Sequence, residues 1–559
     1  MRFTFPDLFV PRFRTPNFVF HGSTVFTLLF GSCYNFGMKT TLDWPGLRTI
    51  PVGFWSVILL GVFAWAPATY PGYWQATEGF IPVFNATHTE PLAHIATQPD
   101  FWRGTGGDAF LLARPLLLLG ASPAAAVRFS FAIALILGGL GVYVWLNPRL
   151  GEWAAALSAL LYMFFPPVLG AVYIRGSISD AMIAGLLPMA LAGVAIFARS
   201  RSRSAVLVTV IAVIWMWRTQ PGLALLVTLL LMLYGWFVEQ HWRSVLMVGV
   251  SAVAGLLSRW PVLSVRDDSL VLNLVDFGLL HQLVDADWAA MRNGHSAHLY
   301  PPTQLGVAVI VLGVLTFWQW WYVARRQPDS SSINRLLLFC FVGGLVMTGL
   351  TLTISAPLWE WTGGGRLLRY PWQLHLLAAP LLAVSAGALP AVSSSFARPA
   401  VWSTLITLVV VSSYGLLSAD FTQTPPPDRP IAVFGPRHNI AILSMDLVET
   451  SDPPQATLYV TWQSLEPLAF DYNVFFQAQA GDLQAPEIIA QLDAQPLGGQ
   501  RPATSWRPGE ILTDTYRLDW LEQPSEVGLR YVFGYYDWRD GTRLLRDGNI
   551  DDKLILYGR

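Results

Sequence analysis

The chain has few charged residues for its size. Asp, Glu, Lys and Arg make up 13% of its 559 residues, against about a quarter in ordinary soluble domains. Hydrophobic residues make up 53%, and the mean hydropathy is +0.45. This composition excludes an ordinary soluble globular protein and predicts a protein that spans a membrane.

The chain also has few cysteines and a net charge close to zero. The two cysteines, Cys33 and Cys340, are too few for a disulfide framework or a cysteine metal site. A net charge of −1 offers no basic surface for nucleic acid, so we expect no nucleic-acid partner.

Charged residues are almost absent from the apolar runs, and the chain shows no convincing internal repeat. Transporters place ionisable groups and broken helices at mid-membrane depth, often in repeated halves. The sequence therefore gives a transporter less support than either an enzyme or a scaffold.

What the chain does have is a series of apolar runs of near-membrane length. A spanning helix needs about 20 mainly apolar residues. About eleven runs qualify, although two of them, 205–217 and 245–257, are short. The predicted spans are 51–68, 123–145, 153–173, 181–197, 205–217, 222–237, 245–257, 303–322, 336–353, 372–389 and 401–417.

The joints between the runs alternate in character. Short joints rich in Arg and Lys remain in the cytoplasm, whereas longer mixed joints are translocated more readily. With the N-terminus inside, every basic joint falls on the cytoplasmic face, and the C-terminus lies outside. The basic joints are Arg149, 199–203, 241–243, 325–326 with Arg335, and Arg398.

Three further segments complete the predicted organisation. Residues 1–50 form an N-terminal tail, and residues 1–37 are either a mis-called start or disordered. The run 109–119 has only about 11 residues and is interrupted by Arg114 and Pro115, so we expect a re-entrant or interfacial helix. Residues 421–430 are a Pro-rich linker after the membrane domain 51–420.

Residues 431–559 show a different pattern. Short runs that alternate apolar and polar residues are separated by turn residues, as at 456–463 and 528–536. Period-two alternation at this spacing predicts an all-β sandwich with its own core. On the predicted topology this domain is extracytoplasmic. Its Trp462, Trp506, Trp520 and Trp538 are either core residues or a carbohydrate-binding rim.

The candidate site residues lie in the predicted outer joints. A carboxylate beside aromatic residues at a membrane surface can act as a general base for a sugar hydroxyl or hold a divalent cation. The candidate carboxylates are Glu78, Asp108 and Asp180, and Trp74 is a candidate substrate-binding residue. The alternative for any one acid is a solvated loop charge.

Three arginines at the same joints are candidate phosphate ligands. Arg175, Arg366 and Arg369 stand where a guanidinium can bind phosphate in a bidentate manner. For Arg366 and Arg369 the alternative is anchoring to lipid headgroups. For Arg175 with Asp180 the alternative is an ion pair that caps a helix with Ser177 or Ser179.

The long joint 259–302 is rich in acids and histidines but does not predict a metal site. No pair of histidines has the spacing of a zinc motif. We therefore predict no metal ligands from the sequence, and a divalent cation remains the open alternative for a cofactor.

Several segments together resemble a known bacterial family. They are GYWQATEGFIPVFN, LGGLGVYVW, ALSALLYMFFPPVLGAVYIRGSISDAMIAGLLPMAL and RLLRYPWQLHLLAAPLLA. In these segments the chain resembles the 6-pyruvoyl-tetrahydropterin-synthase-related membrane proteins, which look like GT-C glycosyltransferases. The C-terminal part, with TSWRPGEILTDTYRL, is similar to the β-sandwich of related proteins in Chloroflexi-type bacteria.

The resemblance implies a function and a place for it. The resemblance implies that the protein transfers a sugar from a polyprenyl-phosphate donor to an extracytoplasmic glycan or protein acceptor. It also implies that this transfer takes place at the bacterial plasma membrane. Glu78 matches the family's acidic residue, whereas Pro82 stands where the family has a histidine. That departure keeps a second hypothesis open, a non-catalytic membrane scaffold of the same fold.

Overall fold

The molecule is mostly helical, with a C-terminal region of antiparallel sheets. The computed structural model describes residues 51–70, 72–74, 82–83, 86, 102–103, 105–258, 277–284, 303–326, 331–368, 370–414, 430–435, 439–451, 454–465, 468, 470–480, 487–507, 509–519, 529–546 and 552–557. The chain divides into two compact units, Met1–Val52 and Gly53–Arg559.

Fifteen α-helices lie in the described part of the chain, named here in order. They are α1 Val52–Trp65, α2 Ala113–Leu118, α3 Pro123–Leu150, α4 Glu152–Met163, α5 Pro166–Tyr173, α6 Ile178–Ser200, α7 Arg203–Thr219, α8 Pro221–Phe237, α9 Trp242–Leu257, α10 Val307–Arg326, α11 Ser331–Gly349, α12 Ala356–Thr362, α13 His375–Gly387, α14 Leu389–Val392 and α15 Pro399–Tyr414.

In its described part, each of the eleven predicted runs overlaps one or more α-helices. Among the described residues, five helices are long and apolar enough to cross a membrane, which supports a protein with several membrane spans. The count reaches six when the bent pair α4 and α5 is one span. Helices α8, α9 and α15 are apolar but shorter, so a total of about eleven crossings stays a prediction.

The break between α4 and α5 has a local cause. Pro166 and Pro167 open α5, and neither proline can donate a backbone hydrogen bond to α4. The two helices meet at an angle of 40°. The predicted run 153–173 is therefore two helices instead of one.

One end of the helix bundle is held by a buried ionic cluster. The carboxylate of Glu239, just after α8, lies 3.0 Å from the Arg149 guanidinium and 3.8 Å from that of Arg199. The Tyr234 hydroxyl donates to the same carboxylate at 2.5 Å and accepts from the Trp145 indole at 2.8 Å. The cluster joins the ends of α3, α6 and α8, whose basic joints are all predicted to be cytoplasmic.

The C-terminal region contains two four-stranded antiparallel sheets. The first has the order β1-β2-β3-β6 and the second β5-β4-β7-β8. Residues from both sheets form one hydrophobic core, separate from most of the helical core. Val433, Ala441 and Leu465 pack with the helical core instead. The strands are β1 Ala432–Phe434, β2 Ile440–Ser451, β3 Pro454–Ser464, β4 Asn473–Ala480, β5 Glu487–Ala494, β6 Ile511–Asp519, β7 Arg530–Tyr536 and β8 Leu554–Tyr557.

Candidate functional site

Several predicted outer joints meet at the end of the bundle opposite to Glu239. The Gly106 amide donates to the Thr219 carbonyl at 2.7 Å, and the Gly222 amide donates to the Trp102 carbonyl at 2.9 Å. Arg103 donates to the Gly365 carbonyl at 3.3 Å. The segment after α1, the joint of α7 with α8, and the segment after α12 therefore form one continuous surface. We call it the joint surface.

Asp180 is the most buried carboxylate at the joint surface. It lies in the first turn of α6, where the helix dipole favours a negative charge. Its carboxylate forms an ion pair with Arg175 and accepts from the Gln373 amide at 2.9 Å. Asp180 is 1% exposed and Arg175 is 5% exposed, so the charges of this pair neutralise one another away from water.

Two aromatic rings cover the guanidinium of Arg175. Tyr370 and Trp372 are stacked with ring centroids 5.0 Å apart. The central carbon of the Arg175 guanidinium lies 4.6 Å from the Trp372 ring and 5.6 Å from the Tyr370 ring. These distances are typical of cation–π contacts. The loop after α12 thereby fixes the position of the Arg175–Asp180 pair.

A small cavity adjoins Asp180. Its volume is about 10 Å³, which is roughly enough for one water molecule. The sugar ring of a substrate would need far more room. The cavity is lined by Pro167, Ala171, Asp180, Trp372 and Leu376.

Hydroxyl groups continue the polar surface beside Asp180. Thr105 donates to the Ser179 hydroxyl at 3.1 Å, and the hydroxyls of Ser177 and Ser179 are 3.2 Å apart. Ser177 occupies the N-cap position of α6, but its side chain makes no capping hydrogen bond there. The predicted pairing of Arg175 with Asp180 is thus present, while capping by the Ser177 side chain is not.

Asp108 is held by the end of α7. Its carboxylate forms an ion pair with Arg218, and its backbone carbonyl accepts from the Trp215 indole at 2.7 Å. The Arg218 guanidinium also donates to the Ser258 carbonyl at 3.4 Å. Asp108 and Arg218 remain partly exposed, with side-chain exposures of 13% and 21%.

Trp74 lies in the core of the helical region. Its ring is stacked on Tyr73 with centroids 4.9 Å apart and meets Phe131 edge-on at 5.5 Å. Its indole donates to the Val172 carbonyl at 3.1 Å. The side chain is fully buried, so this position fits a packing role; the predicted contact with substrate stays a prediction.

The remaining candidates are only partly covered by the structure. Arg366 is exposed at the end of a short 3₁₀ helix, Gly364–Arg366. Glu78 and Arg369 lie outside the described residues. So do the acids and histidines of the joint 259–302, apart from His281 in the 3₁₀ helix Leu280–Leu283.

The two described carboxylates of the joint surface, Asp108 and Asp180, do not fit a divalent cation. Both Asp108 and Asp180 are bound to a guanidinium, and a cation would have to displace it. Among the described residues no group of three or more His, Cys, Asp or Glu is placed to hold a metal ion.

Three partners at the joint surface were not predictable from sequence proximity. Gln373 is 193 residues from Asp180, and Arg218 is 110 residues from Asp108. Arg103 reaches Gly365 across 262 residues. One sequence feature could have indicated a role for Arg218 at this surface. It is a basic residue at a joint that the predicted topology places outside.

The tryptophans of the C-terminal region divide between core and surface. Trp462 and Trp506 are buried in the shared core with ring centroids 5.4 Å apart. Trp538 is 57% exposed, and Trp520 lies outside the described residues. Of the three that are described, Trp538 is available to a ligand.

Comparison with known proteins adds a family likeness for part of the chain. Residues 109–274 match the family model described as "6-pyruvoyl-tetrahydropterin synthase related domain; membrane protein". The match covers 166 of the 559 residues, from α2 to beyond α9. It supports the predicted family and a membrane setting. No curated protein matches the chain, and the likeness to glycosyltransferases and to Chloroflexi-type proteins stays a prediction.

Proposed function

We propose that the chain is an inverting glycosyltransferase that uses a polyprenyl-phosphate sugar donor at the extracytoplasmic face. The observation that carries the proposal is the joint surface itself. Joints separated by up to 262 residues meet there and bring Asp108, Asp180, Arg175 and Arg218 to one end of the bundle. The segment with Glu78 follows Trp74, whose ring packs near this end against α3 and α5.

In the proposed reaction an acceptor hydroxyl attacks the anomeric carbon of the donor sugar. The new bond joins the acceptor oxygen to that carbon, and the bond from the carbon to the phosphate oxygen breaks. The phosphate leaves with the electron pair, and Glu78 takes the proton of the acceptor hydroxyl. Inversion at the anomeric carbon follows from a single displacement.

The arginines divide into two proposed roles. Arg366, which is exposed, is suited to bind the donor phosphate. We assign the same role to Arg369, which lies outside the described residues. Arg175 is already bound to Asp180 and covered by Trp372, so we assign this pair to holding the start of α6 and the loop after α12 together.

The proposed architecture is a membrane domain of about eleven spans followed by an extracytoplasmic β-sandwich. Two antiparallel sheets with one shared core support a sandwich. We propose that it holds the acceptor glycan or protein, and the exposed Trp538 ring is suited to stack on a sugar. The setting would be the bacterial plasma membrane.

A second candidate function is a non-catalytic scaffold of the same fold. Both described carboxylates at the joint surface are neutralised by arginines, which leaves neither free as a base. Pro82 also stands where the resembling family has a histidine.

The test is transfer by the purified chain from a labelled polyprenyl-phosphate sugar to glycans extracted from cells. We expect Glu78→Gln to abolish transfer while membrane insertion is retained. Glu360→Gln is the matched control, because Glu360 is an exposed acid on α12 and its loss should leave transfer unchanged. Transfer retained by Glu78→Gln would reject the assigned role, and no transfer by the wild type would favour the scaffold.

A further inference from the structure

Two arginines near the joint surface have buried N–H groups that no acceptor among the described residues satisfies. They are Nη2 of Arg114 and both Nε and Nη1 of Arg128. Within the described ranges, neither guanidinium forms an ion pair with a carboxylate. This distinguishes them from Arg149, Arg175 and Arg218, each of which has a carboxylate partner.

The two arginines lie on the two arms of one helical hairpin. Arg114 is in α2 and Arg128 is in α3, and the two helices pack against one another. The turn between them covers residues 119–122. Arg114 and Arg128 are at similar distances along the chain from that turn, so the hairpin brings both charges to the same level.

With α3 centred in the bilayer, that level would be close to the boundary between hydrocarbon and headgroups. Arg128 is eight to nine residues from the middle of α3, which is about 13 Å along the helix axis. The hydrocarbon half-thickness is about 15 Å. Because an arginine side chain extends several ångströms further, its guanidinium can reach the depth of lipid phosphates.

A guanidinium at this depth requires a counter-ion. Charged residues within membrane spans are costly and usually have a partner or a function. Tyr73 is close to Arg128, but a phenol hydroxyl is not a counter-ion for a guanidinium. A phosphate group is one, and it can accept two parallel hydrogen bonds from one guanidinium.

The surroundings of the hairpin favour a phosphate that is attached to a lipid. Leu118 and Leu119 at its tip are 89% and 84% exposed, and Leu111 before α2 is also exposed. Apolar side chains on a short helix at this level are typical of a segment that inserts among acyl chains. A ligand bound between these leucines and the arginines would combine an apolar tail with an anionic head.

We propose that Arg114 and Arg128 form a binding site for the phosphate headgroup of a membrane lipid in the outer leaflet. The site differs from the predicted phosphate ligands Arg366 and Arg369. It is independent of sugar transfer, because a structural or regulatory lipid would bind in the same way.

The experiment measures binding of dioleoyl phosphatidic acid to the purified full chain in detergent, with dioleoylglycerol as the probe that lacks the phosphate. We expect the wild type to prefer the phosphate lipid at least tenfold. Arg128→Gln and Arg114→Gln should each weaken binding of phosphatidic acid about tenfold. Arg128→Lys, which keeps the charge but not the two parallel hydrogen bonds, should weaken it less than Arg128→Gln. The matched control is Arg203→Gln, which removes an exposed arginine at the start of α7 and should change nothing.

Three results would overturn the inference. The first is equal binding of phosphatidic acid and dioleoylglycerol by the wild type. The second is unchanged binding in the double variant Arg114→Gln/Arg128→Gln, with thermal unfolding confirming that the variant is folded. The third is competition by inorganic phosphate at the same concentration as the lipid, which would indicate a site for free phosphate. A chain that binds phosphatidic acid but transfers no sugar would refute the proposed function and leave this inference standing.

Discussion

At the scale of single residues, ion pairs differ in consequence according to their burial. The Glu239 carboxylate is 3% exposed and is shared by two arginines and a tyrosine. The pair of Arg517 with Asp519 on β6 has side-chain exposures of 55% and 66%. Removing one member of a buried pair leaves an uncompensated charge, whereas an exposed charge is screened by water.

We predict that Glu239→Ala lowers the free energy of unfolding by about 3–5 kcal/mol. Asp519→Ala, the matched control, should change it by at most about 1 kcal/mol. Unfolding of the full chain in mild detergent with increasing dodecyl sulfate, followed by tryptophan fluorescence, measures both. Equal losses for the two variants would contradict the importance of burial at Glu239.

The sequence predicts local partners at this scale but not distant ones. Arg175 and Asp180 are five residues apart, so their pairing was one of the two interpretations open from the sequence. Gln373 and Arg218 approach their acids only through the fold. Burial was not predictable for Trp74 either, because an aromatic residue beside a predicted outer loop fits both a core and a ligand surface.

At the scale of elements, α3 and α6 are held close by glycine. A Cβ added at Gly141 would lie 2.7 Å from the Met189 amide nitrogen, and one added at Gly185 would lie 2.8 Å from the Ala134 carbonyl oxygen. Small residues allow such backbone approach between helices in membranes, where van der Waals packing drives association. The close contact is therefore a property of both helices together.

We predict that Gly141→Ala and Gly185→Ala each destabilise the chain relative to Gly313→Ala by about 1–3 kcal/mol, because a methyl group meets backbone atoms. Gly313 in α10 has open space around its added Cβ, so Gly313→Ala reports only the gain in helix propensity, about 1 kcal/mol. Dodecyl-sulfate unfolding compares the three. An equal effect at all three positions would show that α3 and α6 separate without cost.

The positions of the helices follow from hydropathy, while their breaks and contacts do not. Apolar runs predicted each long helix, because length and composition decide whether a segment can be buried. The 40° bend at Pro166 required the local effect of two prolines. The order of the strands in the two sheets depends on pairing between distant runs, which period-two alternation leaves undetermined.

At the scale of the whole molecule, different joints lie at the two ends of the helix bundle. Contacts of Glu239 join residues 149, 199 and 234 at one end. Contacts of the joint surface join segments near 103, 106, 180, 219, 365 and 373 at the other end. This division is the one that alternating spans require, since successive joints must fall on opposite sides.

The last crossing decides where the sheets lie. Helix α15 has 16 residues, about 24 Å in length, which is short for a hydrocarbon core of about 30 Å. If α13 and α15 both cross, Trp361 on α12 and Asp519 on β6 share one side of the membrane. If α15 does not cross, they lie on opposite sides.

We therefore predict which introduced cysteines a membrane-impermeant maleimide labels on intact cells. In a chain with Cys33→Ser, where Cys340 is buried, Trp361→Cys and Asp519→Cys should both react. Arg203→Cys at the start of α7 should react only after the membrane is permeabilised. All three positions are exposed in the fold, so access is limited by the membrane alone. Reaction of Trp361→Cys without Asp519→Cys would place the sheets in the cytoplasm, and they could then not present an acceptor to the joint surface.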